Sequence, residues 1–211
     1  AMFVTSPYIG AYVMDYGTVA PKDTTKVLCI GNSFTYYQSC PQMLKEIAWK
    51  EGHYLDVSAS LKGGWSMGKH LTYPTTEDEI GRGGYDVAIL QDQSQSAAQV
   101  GSDRKKYAEN VTNTVAVARK VRSSSEDCRL LLECTWAYAG KNNGGFGCVT
   151  EFYKNAGKGI KVMARAAKAD VSPIRDAFRL ANIERPDILL FADDGYHQSI
   201  YGSYLKSCVN Y

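Results

Sequence analysis

Several features that would commit this 211-residue chain to a specialised class are missing. No stretch approaches the roughly 20 consecutive apolar residues that a membrane-spanning helix requires. Neither sign of charge dominates: 24 Lys and Arg against 22 Asp and Glu leave a formal net charge of +2, without the footprint of a nucleic-acid or anionic-membrane binder. Low-complexity runs, charged tails, a collagen period and internal repeats are all lacking, so disordered and fibrous readings fall. The six cysteines, at 29, 40, 128, 134, 148 and 208, include no C-x-x-C pair and none near a histidine at zinc-finger spacing. No metal site is expected, and a chain of this length does not need disulfides, so free thiols are expected. A basic leader is also missing at the N-terminus, where Ser6-Pro7 and Asp15 interrupt the apolar residues. Ala1-Met2 reads as a remnant of cloning, and the C-terminal pattern has no stop signal, so the natural chain is expected to continue.

What is present is a 45% hydrophobic composition, enough for one domain with a proper core. Tyrosine is abundant, at 15 residues, which suits either ordinary packing or a surface that stacks on sugar rings. Apolar runs at Val27–Ile30, Val87–Leu90 and Leu130–Leu132 predict buried strands, within 26–30, 85–91 and 129–136. Alternation over 54–60 predicts another strand, and a short one is expected near 170–173. Helical spacing runs over 41–50, 105–122, 149–168, a segment through 181, and from about 198 onward. A loop rich in Gly and Asn is expected over 140–147. Strands alternating with helices predict an α/β domain over 26–211, with a parallel sheet covered on both faces. Residues 1–25 fit none of this and are expected to form an N-terminal extension. In such folds the site lies beyond the carboxyl ends of the strands.

That rule sorts the candidates. His53 precedes a strand and lies at the wrong end, whereas His70 follows the alternating strand and His197 follows the last apolar run, at 188–191. Asp193 and Asp194 precede His197, and an Asp beside a His can hold the imidazole in one tautomer, with either carboxylate available at this point. Ser33 in Gly31-Asn32-Ser33 closes the first strand ahead of a helix, which suits a nucleophile or an ordinary helix cap. A rival, Ser66, sits in Gly64-Trp65-Ser66-Met67-Gly68, the G-x-S-x-G elbow pattern. Only two strands precede it, and an acid three residues from the histidine is not the elbow enzymes' arrangement.

Taken in order, these blocks resemble the SGNH hydrolase superfamily, the GDSL-like esterases, over about residues 26–211. The first block matches Val27-Leu28-Cys29-Ile30-Gly31-Asn32-Ser33-Phe34-Thr35, the second is Gly63-Gly64, and the last is Asp194 with His197. The third departs from G-x-N-D, reading Gln91-Asp92-Gln93-Ser94, with Gln93 where the family has Asn. A branch of the superfamily with G-N-S-F also carries G-G-x-S-x-x-x-H, which here includes His70. The resemblance implies a flavodoxin-like α/β/α fold of three layers on a mainly parallel five-stranded sheet. It implies Ser33 as nucleophile, His197 as base, Asp194 as its orienting acid, and an oxyanion hole from the Ser33 and Gly64 N–H groups and the Gln93 amide, with Gln91 as the alternative donor. Asn32, Trp65, His70 and Gln91 are candidates for substrate contact, and Trp136 lies on the same side. No cofactor is implied. The expected activity is hydrolysis of a small acyl ester, acetyl above all, on a carbohydrate. A weak or inactive carbohydrate-binding domain of the same fold is the alternative. A glycan or small-molecule ester is the expected partner, with neither nucleic acid nor membrane, in a monomer or homodimer, at the cell surface or secreted.

Overall fold

Four consecutive apolar residues, Val27 to Ile30, can all be buried in one strand only if both faces of the sheet are covered. The computed structural model, which describes residues 3–5, 12–14, 23–139 and 148–211, places them in β1 (Thr24–Gly31). β1 pairs in parallel with β2 (Tyr54–Leu61) on one side and β3 (Val87–Leu90) on the other. β4 (Arg129–Glu133) and β5 (Asp170–Ser172) extend the sheet, also in parallel. The order is β2-β1-β3-β4-β5, the flavodoxin-like order expected of the five-stranded sheet.

Among the described residues, eight helices connect and cover the strands: α1 (Ser33–Tyr36), α2 (Cys40–Lys50), α3 (Met67–His70), α4 (Pro74–Arg82), α5 (Arg104–Ser124), α6 (Val149–Ala167), α7 (Ile174–Glu184) and α8 (Ile200–Asn210). The pleat of β1 sorts its residues between two layers. Leu28 and Ile30 join Leu90, Leu132, Val117 and Val121 of α5, and Ile160 and Met163 of α6. Val27 and Cys29 point the other way, to Val57, Ile89, and Leu44 and Ala48 of α2. A third cluster beyond the strand ends joins Phe34, Trp136, Ile174, Phe178 and Leu190, with Leu205 and Val209 against it. Its Trp136 and Phe178 rings stack 3.9 Å apart and 8° from parallel. Burying such side chains contributes about 1.5–3 kcal/mol each.

The structure adds elements that hydropathy did not separate. α3 and α4 fill a stretch with no apolar run, and the signal for α4 was Pro74 at its first turn with Glu77 behind it. β4 stops at Glu133 rather than Trp136, because the chain turns there to bury Trp136 in the third cluster. The apolar run 188–191 forms no strand beyond a single bridge between Phe191 and Gln198. Phe3–Thr5 and Tyr12–Met14 pair as an antiparallel ribbon. The rest of the expected extension and the loop over 140–147 lie outside the described residues. All six cysteines are free. Among the described residues no helix is long and apolar enough to cross a membrane.

Candidate active site

β1 ends in a turn that only glycine can open. A Cβ on Gly31 would lie 2.5 Å from Thr35 Oγ1 and 3.0 Å from Gln91 Oε1. Asn32 follows in extended conformation, at φ −124° and ψ −155°, and caps α1. Its Oδ1 accepts from the Phe34 N–H at 3.1 Å, and its Nδ2 donates to the Trp65 carbonyl at 2.8 Å. The second link ties the loop after β2 to the turn after β1. Ser33, the first residue of α1, is thereby presented at the carboxyl edge of the sheet. Among the described residues, neither the Ser33 nor the Gly64 backbone N–H meets an acceptor. Gly64 is exposed, at φ +70°, a conformation that admits glycine at little cost.

The loop before α8 closes onto this turn. His197 Nε2 lies 2.8 Å from Ser33 Oγ, and His197 Nδ1 lies 2.6 Å from Asp194 Oδ2. A carboxylate accepts, so Nδ1 carries the ring proton and Nε2 turns a lone pair to the Ser33 hydroxyl. The other carboxylate oxygen, Oδ1, accepts from the N–H groups of Tyr196 and His197, at 3.0 and 2.9 Å. Partial desolvation pushes the Asp194 carboxyl up, but those two N–H groups and the His197 ring outweigh it and hold it below the ordinary carboxylate value. Tyr37 stacks on the His197 ring at 4.3 Å and 7°. Trp136 donates from Nε1 to the Tyr196 carbonyl at 3.0 Å, and the Ala139 N–H donates to Gly195 at 2.7 Å. The loop's shape is thus set from the end of β4.

Several residues expected to touch substrate are instead spent inside the protein. Gln91 is fully buried, and its Oε1 accepts from the Asn32 N–H and the Thr35 hydroxyl, each at 3.0 Å. Its Nε2 donates to the Asp92 carbonyl, so Gln91 supplies neither an oxyanion donor nor a substrate contact. His70 is equally buried, with Nδ1 on Thr76 Oγ1 at 2.8 Å and Nε2 on the Gly31 carbonyl at 3.0 Å. Burial pushes its pKa down to about 4. It braces the turn and does not line the site. Asn32 is 2% exposed with both side-chain atoms engaged, and Trp136 is wholly buried in the third cluster. Of that group only Trp65 keeps a half-exposed ring, edge-on to Tyr73 at 4.7 Å.

Gln93 divides its amide. Its Oε1 accepts from the Gln95 N–H at 2.9 Å, while Nε2 makes a long 3.5 Å bond to Ser94 Oγ and its second hydrogen meets no acceptor among the described residues. Asp92 Oδ1 accepts from the N–H groups of Met67 and Gln93, at 2.7 and 2.8 Å, locking the loop after β3 to the start of α3. Burial raises its pKa in spite of those donors. Ser66 meets no histidine among the described residues, since His70 is fully engaged elsewhere, and His53 pairs with the Tyr211 hydroxyl far from Ser33.

Composition and spacing did not point to Tyr37 or to the pair beneath α1. There Lys206 Nζ donates to the Phe34 carbonyl at 2.5 Å and to Glu133 Oε2 at 2.6 Å, with side chains only 2% and 1% exposed. The pair is made across 73 residues, and no local pattern signals it.

No sequence-family model matches this chain, and no curated protein matches it at the sequence level. Solved structures do. A protein of the DUF4886 family from Bacteroides uniformis is similar with a TM-score of 0.75 and 21% identity, over 89% of this chain and 81% of that one. The acetylxylan esterase Axe2 from Geobacillus stearothermophilus superposes with a TM-score of 0.64 at 15% identity, over 90% of this chain and 94% of its own. A lipase from a goat rumen metagenome gives 0.58 at 15% identity, over 88% and 95%. Strand order, site position and these likenesses agree that the chain has the SGNH hydrolase fold, the fold of GDSL-like lipases and acetylxylan esterases.

Proposed function

We infer that this protein is a serine esterase that removes a small acyl group, acetyl above all, from a carbohydrate. The observation that carries the reading is the line of hydrogen bonds from Ser33 through His197 to Asp194, at 2.8 and 2.6 Å. His197 Nε2 takes the proton of Ser33 as Oγ attacks the ester carbonyl. Asp194 keeps the imidazole in the right tautomer and stabilises the imidazolium that forms. The unspent N–H groups of Ser33 and Gly64, with Nε2 of Gln93, receive the oxyanion. As the tetrahedral intermediate collapses, the C–O bond to the sugar breaks and His197 returns the proton to the departing hydroxyl. Water, activated by the same nitrogen, then attacks the acyl-enzyme, releasing the acid and restoring Ser33.

Two observations support a small acyl group on a sugar. Tyr37, Trp65, Tyr138 and Tyr196 gather rings about the Ser33 turn, and such faces stack on pyranose rings. A protein with this fold is an acetylxylan esterase. The test is hydrolysis of p-nitrophenyl acetate, butyrate and octanoate by the wild type and by Ser33→Ala, with Ser66→Ala alongside. Acetate turnover that vanishes in Ser33→Ala and persists in Ser66→Ala is expected. Turnover surviving in Ser33→Ala would remove Ser33 from its role. No Ser33-dependent turnover on any ester would favour a carbohydrate-binding domain.

A further inference from the structure

Beside the loop that carries Asp194 and His197 lies a cavity of about 630 Å³. Tyr138 is its link to the site. That ring lies 5.5 Å from Tyr196 and 6.2 Å from Phe34, and its hydroxyl meets Ser94 Oγ at 2.7 Å. The neighbouring Ala139, also in the wall, is the residue bonded to Gly195. The cavity therefore opens on the same edge of the sheet as Ser33 and shares a wall with the loop that orients the base.

The lining is one-sided in charge. Lys154, Arg175 and Arg179 contribute to it, and no carboxylate does among the described residues. Arg175 is already used: Nη1 donates to the Tyr153 carbonyl at 2.8 Å, and Nε and Nη2 hold Asp176. Arg179 lies one helical turn further along α7, over the Tyr153 ring at 5.7 Å. Neither Arg179 nor Lys154 meets a carboxylate among the described residues. Two exposed cations thus face a hollow walled by the Tyr138 and Tyr153 rings. On a chain with a net charge of only +2, this is a local concentration and not a general basic surface. A planar guanidinium matches a carboxylate in a two-pronged fit, and the half-buried Tyr138 ring is the aromatic wall beside it, since Tyr153 is buried beneath the two arginines.

We propose that this cavity is a subsite for a uronate residue of the substrate, so that the enzyme prefers acyl esters on acidic glycans. The proposal rests on the esterase reading for its link to turnover, but the binding step can be tested without it. The probes are xylotriose and xylotriose bearing one glucuronate branch, each offered to Ser33→Ala in titration calorimetry. The acidic probe should bind at least about tenfold more tightly, and the difference should shrink as salt rises. In Lys154→Gln with Arg179→Gln, on the Ser33→Ala background, the two probes should bind alike. The same charge pair, changed in the active enzyme, should lower kcat/KM on the acetylated acidic oligosaccharide about tenfold and leave p-nitrophenyl acetate unchanged. Equal binding of the two probes by the unaltered cavity would overturn the subsite, whatever the ester assays give. Loss of all Ser33-dependent hydrolysis alongside selective binding would overturn the esterase reading and leave the uronate site standing.

Discussion

Acid should weaken this fold through one side chain, His70. The ring is inaccessible to solvent, and both nitrogens are occupied. The Gly31 carbonyl can only accept, so Nε2 carries the proton and Nδ1 accepts from the Thr76 hydroxyl, which in turn meets Ser60 Oγ at 2.7 Å. A second proton would place a charge in the interior, and burial accordingly lowers the pKa from 6.5 to about 4. The unfolded chain therefore takes up a proton before the folded one does. Stability from this group is complete above about pH 6.5 and is lost as the pH falls towards 4. At about 1.36 kcal/mol per pKa unit, the loss across that window is about 3 kcal/mol. Urea unfolding at half-unit steps from pH 4 to 7.5 measures it, in the wild type and in His70→Gln. The variant starts from lower stability, since the Gly31 carbonyl and Thr76 lose their partner. Its decline with acid should nonetheless be shallower by nearly one proton. Parallel curves for the two proteins would refute the assignment of a buried, neutral His70.

Three further outcomes follow from particular contacts. Gln93→Ala should lower kcat about 10²–10³-fold with KM little changed, because the proposed mechanism gives the second hydrogen of its Nε2 a share of the oxyanion. Gln91→Ala should show itself instead as lost stability in thermal unfolding, since its amide joins Asn32, Thr35 and Asp92. Lys206→Met should destabilise the protein by about 3–5 kcal/mol in urea titration, as it strands the buried carboxylate of Glu133, and adding Glu133→Gln should restore much of the loss.

The residues that make up the candidate site divide by how local their cause is. Gly31-Asn32-Ser33 and Asp194 with His197 each lie at the end of an apolar run, and the parallel α/β pattern puts such ends on one edge. Period therefore sufficed for the five strands and the layering, while Ser33, His197 and Asp194 were singled out together only by the resemblance of the ordered blocks. They failed for Gln91, His70 and Asn32, which share the polarity of binding residues but were claimed by buried backbone and hydroxyl groups. Sequence reports that a side chain can donate or accept, not which partner takes the bond first. Tyr37 over His197, Lys206 beneath Phe34 and the cations beside Tyr138 are likewise products of packing, made across separate elements. The sequence alone determined which chemistry was available and at which end of the sheet. Only the tertiary structure decided which polar groups were consumed in holding the turn after β1 and which were left free to meet a substrate, because that choice depends on distances between segments far apart along the chain.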